Sequence, residues 1–314
     1  MTTTAPPLLD AAATAAALPF ERLVPALRAM FAQGCEVPPR QVLQVGTPDV
    51  PLTSLVMPAW LPGLAYGVKL VNVAPCNAER GLPGVHAAYT LFDAATGAPR
   101  ALLDGTTLTH RRTAAASALA ASFLAREDAR TLLVVGAGQI AALLPAAHRV
   151  VRPIERVCVW ARRGEPARGL AARLAAQGFA AEAVDDLAAA VRGADIVSCA
   201  TLATEPLLRG AWLAPGTHVD LIGSFTPAMR EADDACVARA RVFVDTEEAL
   251  AKSGDLLGPV ASGAWQAMQL QGSLAQLCRG ERAGRAAPDE ITLFKSVGTA
   301  LEDLAAALLA VQGG

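Results

Sequence analysis

The stretch Leu132-Leu133-Val134-Val135-Gly136-Ala137-Gly138-Gln139-Ile140-Ala141 constrains this 314-residue chain more than any other. An apolar run ends in a glycine turn and a helix start. That pattern belongs to a buried parallel strand that presents a helix N-terminus, with its free N–H groups and positive dipole end, to a pyrophosphate. In this G-x-G-x-x-A, Gly136 permits the tight turn, Gly138 lets the backbone approach the phosphates, and Ala141 keeps the helix against the strand, with Gln139 and Ile140 in the first helical turn. In a chain with 26 glycines the motif by itself reads equally well as a turn between core elements, so the flanking pattern has to decide.

The flanking pattern alternates. Residues 156–160 read as a second strand, about 20 residues beyond the glycines as a βαβ unit requires. A helix follows over 166–177, then a strand over 180–184, a helix over 186–191, and strands over 195–200, 218–222 and 241–245, the last of the series. Short apolar strands separated by helices imply a parallel sheet covered on both faces, hence an α/β fold whose Rossmann-type NAD(P)-binding domain spans 113–298. In NAD-preferring folds the second strand ends in an acid that binds the ribose hydroxyls. Here it ends Trp160-Ala161-Arg162-Arg163, and two arginines suit a 2′-phosphate. NADP is therefore the preferred cofactor, with NAD the alternative, unless the arginines are merely solvated.

The composition sets limits. With 53% hydrophobic and 18% charged residues, the chain can bury a large core. A net charge of −2 without a basic block argues against a nucleic-acid surface. No apolar run reaches the ~18 residues of a membrane span, and no basic segment precedes an apolar core at the N-terminus, so neither a membrane segment nor a signal peptide is expected. The six cysteines are scattered without a C-x-x-C pair and the four histidines lack ligand spacing. This pattern suits reduced thiols in a cytoplasmic protein without a metal. The alanines at 11–17 open an amphipathic helix continued by Leu18, Phe20, Leu23, Val24, Leu27, Met30 and Phe31 at helical spacing.

Residues 1–112 differ in texture. Strand-like runs at 54–57, 66–73, 85–92 and 99–103 alternate with turns at Pro62-Gly63, Gly81–Gly84 and Asp104-Gly105, suggesting an antiparallel sheet in a mixed α+β substrate domain. The boundary is expected at Arg112-Thr113, with Thr113 capping an alanine-rich helix that ends near Leu124. Residues 280–288 read as an exposed loop, 291–298 as a short strand and turn, and 299–311 as a helix able to return to the first domain. Within that first domain, Lys69 in an apolar strand is either an edge residue reaching water or a cation facing a site. Arg111 and Arg112, just before the expected helix, are either solvated or a carboxylate clamp. His86 is either a packed histidine or a proton donor.

These segments together resemble the ornithine cyclodeaminase/μ-crystallin family over nearly the whole chain. The matching stretches are Met57-Pro58-Ala59-Trp60, Gly67-Val68-Lys69, Gly81-Leu82-Pro83, Asp104-Gly105, Leu108-Thr109 with Arg112-Thr113-Ala114-Ala115, the Gly136 turn, Pro215-Gly216-Thr217-His218, Ile222-Gly223-Ser224, Arg230-Glu231 and Phe294-Lys295-Ser296-Val297-Gly298. The resemblance implies a substrate-binding and dimerisation domain over 1–112, joined by the C-terminal helix 299–314, plus the Rossmann domain, in a homodimer. It assigns the substrate carboxylate to Lys69 and Arg112, with Arg40 as an auxiliary basic residue. It places Ser296 and Val297 beside the nicotinamide and Thr201 and Leu202 beneath the cofactor, with Ser224 also in contact with it.

One departure from the family pattern decides among its activities. Ornithine cyclodeaminases carry an aspartate soon after the Gly223 position, where this chain has Phe225, which can neither take a proton nor hold an ammonium. The run from Gly223 to Glu231 resembles the 1-pyrroline-2-carboxylate reductase branch. The implied activity is NAD(P)H-dependent reduction of that cyclic ketimine, or of its six-membered homologue 1-piperideine-2-carboxylate, to L-proline or L-pipecolate. Lys69 and Arg112 would fix the cyclic imino acid, Phe225 would line its pocket, and His86 or water would supply a proton. The alternatives are an ornithine cyclodeaminase or amino-acid dehydrogenase, and a non-catalytic NADPH-dependent binding protein.

Overall fold

The computed structural model describes residues 5–312. They form two compact units, one of the residues up to Arg112 together with those from Thr299 on, the other Thr113–Gly298.

The first unit opens with β1 (Leu8–Leu9), α1 (Ala11–Ala17) and α2 (Phe20–Gln33). The single amphipathic helix expected here is two. Asp10 caps α1 by accepting from Ala13 N at 2.8 Å, and Pro19, unable to continue the hydrogen-bond ladder of α1, becomes the N-cap of α2. The strands β2 (Gln41–Gln44), β3 (Thr53–Leu61), β4 (Ala65–Val73), β5 (Val85–Asp93) and β6 (Pro99–Asp104) form an antiparallel meander, and β1 adds to its edge parallel to β6. β1 is only two residues long and β2 is exposed throughout, so neither shows the alternation that betrays a half-buried strand. The odd-numbered residues of β3 to β6 face inward, among them Met57, Ala59, Tyr89, Leu91, Ala101 and Leu103. Gly67 lets the Tyr89 ring lie across the sheet; a Cβ there would come 1.9 Å from the tyrosine oxygen.

The helix α3 (Gly105–Leu124) begins two turns earlier than expected. Asp104 is not part of a hairpin turn: its carboxylate accepts from Thr107 N at 2.7 Å and starts the helix. Thr113 is therefore an interior, buried residue, not a cap, and Arg111 and Arg112 lie within the helix. The final helix of the unit, α11 (Ala300–Val311), is buried nearly all round and packs on α2, β3 and β4.

The second unit holds one eight-stranded parallel sheet. Its strands are β7 (Thr131–Val135), β8 (Arg156–Trp160), β9 (Ala180–Ala183), β10 (Ile196–Cys199), β11 (His218–Leu221), β12 (Arg241–Val244), β13 (Gly272–Ser273) and β14 (Thr292–Lys295), in the order β13-β12-β14-β11-β10-β7-β8-β9. The connecting helices are α4 (Gln139–Arg149), α5 (Gly164–Ala176), α6 (Leu187–Arg192), α7 (Asp234–Arg239), α8 (Ala249–Lys252), α9 (Gly254–Ser262) and α10 (Leu274–Cys278). β12 is not the last strand: β13 extends the edge and β14 inserts between β11 and β12. From β7 the chain winds one way through β8 to β9, then returns to β10 on the other side, so the reversal of strand order lies between β7 and β10. Ligands of open α/β sheets bind at such a reversal, outside the carboxyl ends of the strands.

Candidate functional site

The carboxyl ends of β7, β8, β10, β11 and β14 carry every cofactor candidate named from the sequence. Gly136 follows β7 at φ +121°, where a Cβ would lie 2.6 Å from the carbonyl oxygen of Ala200 after β10. Only glycine lets these two loops meet. Gly138 is the N-cap of α4 and makes no side-chain cap. A Cβ on it would meet nothing within 4 Å, so space lies open beside the first turn of α4, whose N–H groups have no intrahelical partners. Gln139 is exposed and Ile140 half-buried. These residues fit a dinucleotide pyrophosphate.

At the end of β8, Trp160 Nε1 donates to Asp185 O at 3.3 Å, while Arg162 and Arg163 are exposed, with Arg163 as the N-cap of α5. Arg168, which the sequence reading missed, curls back on the same helix start: a Cβ on Gly164 would sit 2.8 Å from its guanidinium.

The next loops are held from beneath by buried acids. Glu231 accepts from Thr201 N at 2.8 Å, Thr201 Oγ1 at 2.9 Å, Gly223 N at 2.8 Å and Ser224 N at 3.2 Å. Burial pushes its carboxyl up to about 7, against the pull of Lys295 and of the N–H donors. Asp255 joins the two groups: it accepts from Glu231 N at 2.7 Å and from Lys295 Nζ at 3.1 Å. Asp245 accepts from Ser296 Oγ, Val297 N and Gly298 N at 2.9, 2.9 and 2.6 Å. Leu202, by contrast, is 73% exposed. Phe225 is 38% exposed on the loop beyond Ser224, and its side chain supplies no acid there.

In the first unit, Lys69 is neither at an edge nor in water. It is 1% exposed, on the inward face of β4, and its Nζ lies 2.9 and 2.7 Å from the two oxygens of Asp303 on α11. Arg112 donates from Nε to Asp303 at 2.9 Å and from Nη1 to Glu302 at 2.6 Å. Desolvation brings the Lys69 ammonium down to about 8, with Asp303 opposing and Arg112 assisting. Burial alone would raise the Asp303 carboxyl, but Lys69 and Arg112 hold it below its ordinary value. Sequence reasoning paired Lys69 with Arg112 but missed Asp303 and Glu302. Acids near the start of an apolar helix look like ordinary dipole partners.

The other candidates separate from this cluster. Arg111 is structural: its Nε donates to Leu18 O at 2.7 Å and its guanidinium stacks 4.4 Å over Phe20, fixing the α1–α2 junction. Arg40 is half-buried just ahead of β2. His86 pairs in register with Asn72, whereas Lys69 pairs with Tyr89. Three positions from Tyr89 on the same strand, His86 projects from the opposite, outer face of the sheet. His86 is therefore not placed to pass a proton to a group held by Lys69.

Comparison with known proteins agrees with this architecture. Residues 18–312 match the ornithine cyclodeaminase/mu-crystallin family. The chain belongs to that family. It is 46% identical over 304 residues to a delta(1)-pyrroline-2-carboxylate reductase of Paracoccus denitrificans, covering 96% of this chain and 94% of the relative. The solved delta(1)-pyrroline-2-carboxylate reductase of Thermococcus litoralis, in complex with NADH and L-proline, superposes with a TM-score of 0.91 at 33% identity, over 97% of this chain and 96% of that one. An archaeal alanine dehydrogenase dimer with bound NAD superposes with a TM-score of 0.89 at 28% identity, over 98% and 95% of the two chains. This family member is an NAD(P)H-dependent oxidoreductase. Among the described residues no helix is long and apolar enough to cross a membrane.

The ion cluster yields a stability test. Asp303→Ala leaves two buried cations without their shared partner, which costs about 3–5 kcal/mol, measured as a fall in urea midpoint. Adding Lys69→Met should recover part of the loss. An Asp303→Ala protein as stable as the parent would mean that the cluster does not form in solution.

Proposed function

We propose that this oxidoreductase reduces a cyclic ketimine carboxylate, foremost 1-pyrroline-2-carboxylate to L-proline and also the six-membered homologue to L-pipecolate, with NADPH preferred over NADH. The observation that carries the reading is the convergence of Lys69 and Arg112 on one carboxylate. Asp303 receives both cations at 2.9 Å or less, so the pair can grip a carboxylate from two directions. A nicotinamide, when bound, supplies the hydride for the C=N carbon. The chain's part is to bind and orient. Lys69 and Arg112 hold the substrate carboxylate and so aim the ring, and Asp303 and Glu302 fix the two cations. The ring nitrogen arrives protonated from water, which makes the carbon electrophilic without a strong acid or base nearby.

The absence of a carboxylate at Phe225 supports imine reduction over ornithine cyclisation, because nothing there takes a proton from an amine. For the cofactor, Arg162, Arg163 and Arg168 gather at the start of α5, and no acid ends β8 to bind a ribose diol. The roles of Gly136, Gly138, Gln139, Ile140, Trp160, Thr201, Leu202, Ser224, Ser296 and Val297 as cofactor contacts belong to the same proposal, with Arg40 as an auxiliary cation. For assembly we infer a homodimer through the outer face of the six-stranded sheet, where Tyr66, Leu70 and Leu102 lie exposed. Sedimentation at monomer mass would oppose this.

The deciding assay offers both cyclic imines with NADPH and with NADH, beside L-ornithine and L-alanine with the oxidised cofactors. Imine-dependent cofactor oxidation is expected without ammonia from ornithine. Arg112→Lys, which keeps the charge but loses the fork, should cut kcat/KM by a factor equivalent to roughly 2–4 kcal/mol. Arg162→Ala/Arg163→Ala should shrink the preference for NADPH. Proline and ammonia from ornithine, with no imine turnover, would replace this reading with the cyclodeaminase.

A second measurement uses pH. Lys69 loses its proton above about 8 in the folded protein, lower than its ordinary 10.5, so carboxylate binding weakens as pH rises through that value. Competitive inhibition by L-proline, which has no imine to titrate, should weaken above about pH 8. Lys69→Arg, whose charge persists, should flatten that profile. An unchanged profile in Lys69→Arg would remove Lys69 from the carboxylate site.

A further inference from the structure

We infer that Glu231 is a positioning residue for the nicotinamide cofactor: its buried carboxylate clamps the loops after β10 and β11 into the one arrangement that the cofactor can use. The inference rests on the cofactor-dependent reading above. It does not depend on which imine is the substrate.

The geometry demands a carboxylate. Four donors converge on the Glu231 side chain, two of them from Thr201 and the other two the backbone N–H groups of Gly223 and Ser224. The first two meet Oε1 and the second two meet Oε2. An ionised carboxyl group offers about four acceptor positions and no donor, whereas an amide in either orientation would turn its N–H₂ toward at least one of the N–H donors, Thr201 N on one side or Gly223 N and Ser224 N on the other. The two loops also touch: a Cβ on Gly223 would lie 2.0 Å from Thr201 O and 2.5 Å from Glu231 Oε1. The clamp is anchored on its far side. Arg230 N donates to Ala203 O at 2.7 Å, and Leu207 and Leu208 N both donate to Glu231 O at 2.9 Å. Asp255 receives Glu231 N and Ala232 N through one oxygen and Lys295 Nζ through the other. Lys295 directly precedes Ser296 and Val297, so a single buried Glu–Asp–Lys chain ties three of the loops at the carboxyl edge of the sheet. Glu231 is fully buried, so it acts on a ligand only through the loops it holds.

The test compares the parent protein with Glu231→Gln, Thr201→Val and Thr201→Ser. Direct NADPH and NADH binding is followed by fluorescence, and amide exchange is measured without cofactor. Glu231→Gln should weaken cofactor binding at least tenfold. It should raise the cofactor KM while leaving kcat at saturating cofactor and the imine KM near the parent values. The amides of Thr201, Gly223 and Ser224 should exchange at least tenfold faster, while those of β10 and β11 keep their protection. Thr201→Val, which deletes the hydroxyl that donates to Glu231 and accepts from Ala203 N at 3.3 Å, should weaken binding severalfold, and Thr201→Ser should restore it. This pair keeps the idea falsifiable if Glu231→Gln fails to fold. Parent-like cofactor affinity in Thr201→Val, or parent-like affinity and exchange in a folded Glu231→Gln, overturns the inference. A parent protein that binds neither cofactor overturns the underlying reading instead.

Discussion

The carboxylate of Asp303 is the constraint on which the first unit is organised. It lies in the interior with Lys69 on one side and Arg112 on the other, and it joins three elements far apart in sequence: β4, α3 and α11. None of the three charges could be buried alone, because desolvation costs several kcal/mol per ion even after relaxation. Together with Glu302 they form a set of two cations and two anions whose charges cancel. The cancellation lets α11, otherwise apolar, carry two acids into the core. It also explains why Lys69 sits fully buried in an apolar strand without being expelled to an edge.

Such a cluster is poor value as a stability device, since well-packed apolar groups of similar volume do as well or better. Its arrangement makes better sense as preparation for binding. Lys69 and Arg112 are flexible side chains that, unpaired, would sample many rotamers. Held by Asp303 and Glu302, they are presented in one arrangement, so the ordering entropy is lost in folding and not in binding. On the function proposed above, a substrate carboxylate would meet cations that are already placed.

Much of this was legible in the chain. The parallel sheet could be read because β7, β8, β10 and β11 are short apolar runs set at βα spacing, and Gly136 betrays the loop contact that a side chain would prevent. The place of β14 was not legible, since a strand near the chain end carries no local mark of insertion between β11 and β12. The start of α3 is ambiguous in the sequence because Asp-Gly signals a turn equally with an N-cap, and only the carboxylate's contact with Thr107 N separates the two. Within the site, Lys69 and Arg112 stood out as charges in apolar or helical surroundings. His86 shared that appearance, yet strand register puts it on the other face of the sheet. Asp245, Asp255 and Asp303 carry no mark in the sequence, and Glu231 only a place in a family-matching stretch, because nothing local distinguishes a buried acid from a solvated one.

Three of those acids, Glu231, Asp245 and Asp255, share a physical role. The loops at a sheet's carboxyl edge must leave some backbone N–H groups for a ligand, so they cannot close on themselves by ordinary turns. Their remaining N–H groups still need partners once buried. Asp245 receives those of Val297 and Gly298, Glu231 those of Thr201, Gly223 and Ser224, and Asp255 those of Glu231 and Ala232. Interior carboxylates are suited to this because each accepts several donors at fixed angles and offers none in return. The α4 turn is the exception. Gly138 gives it no side-chain cap, and a Cβ there would meet nothing within 4 Å, so space is left beside the helix start. Loops fixed from within beside one helix start left open are what a dinucleotide site requires, and here both are made by residues that lie within the same sheet-based unit.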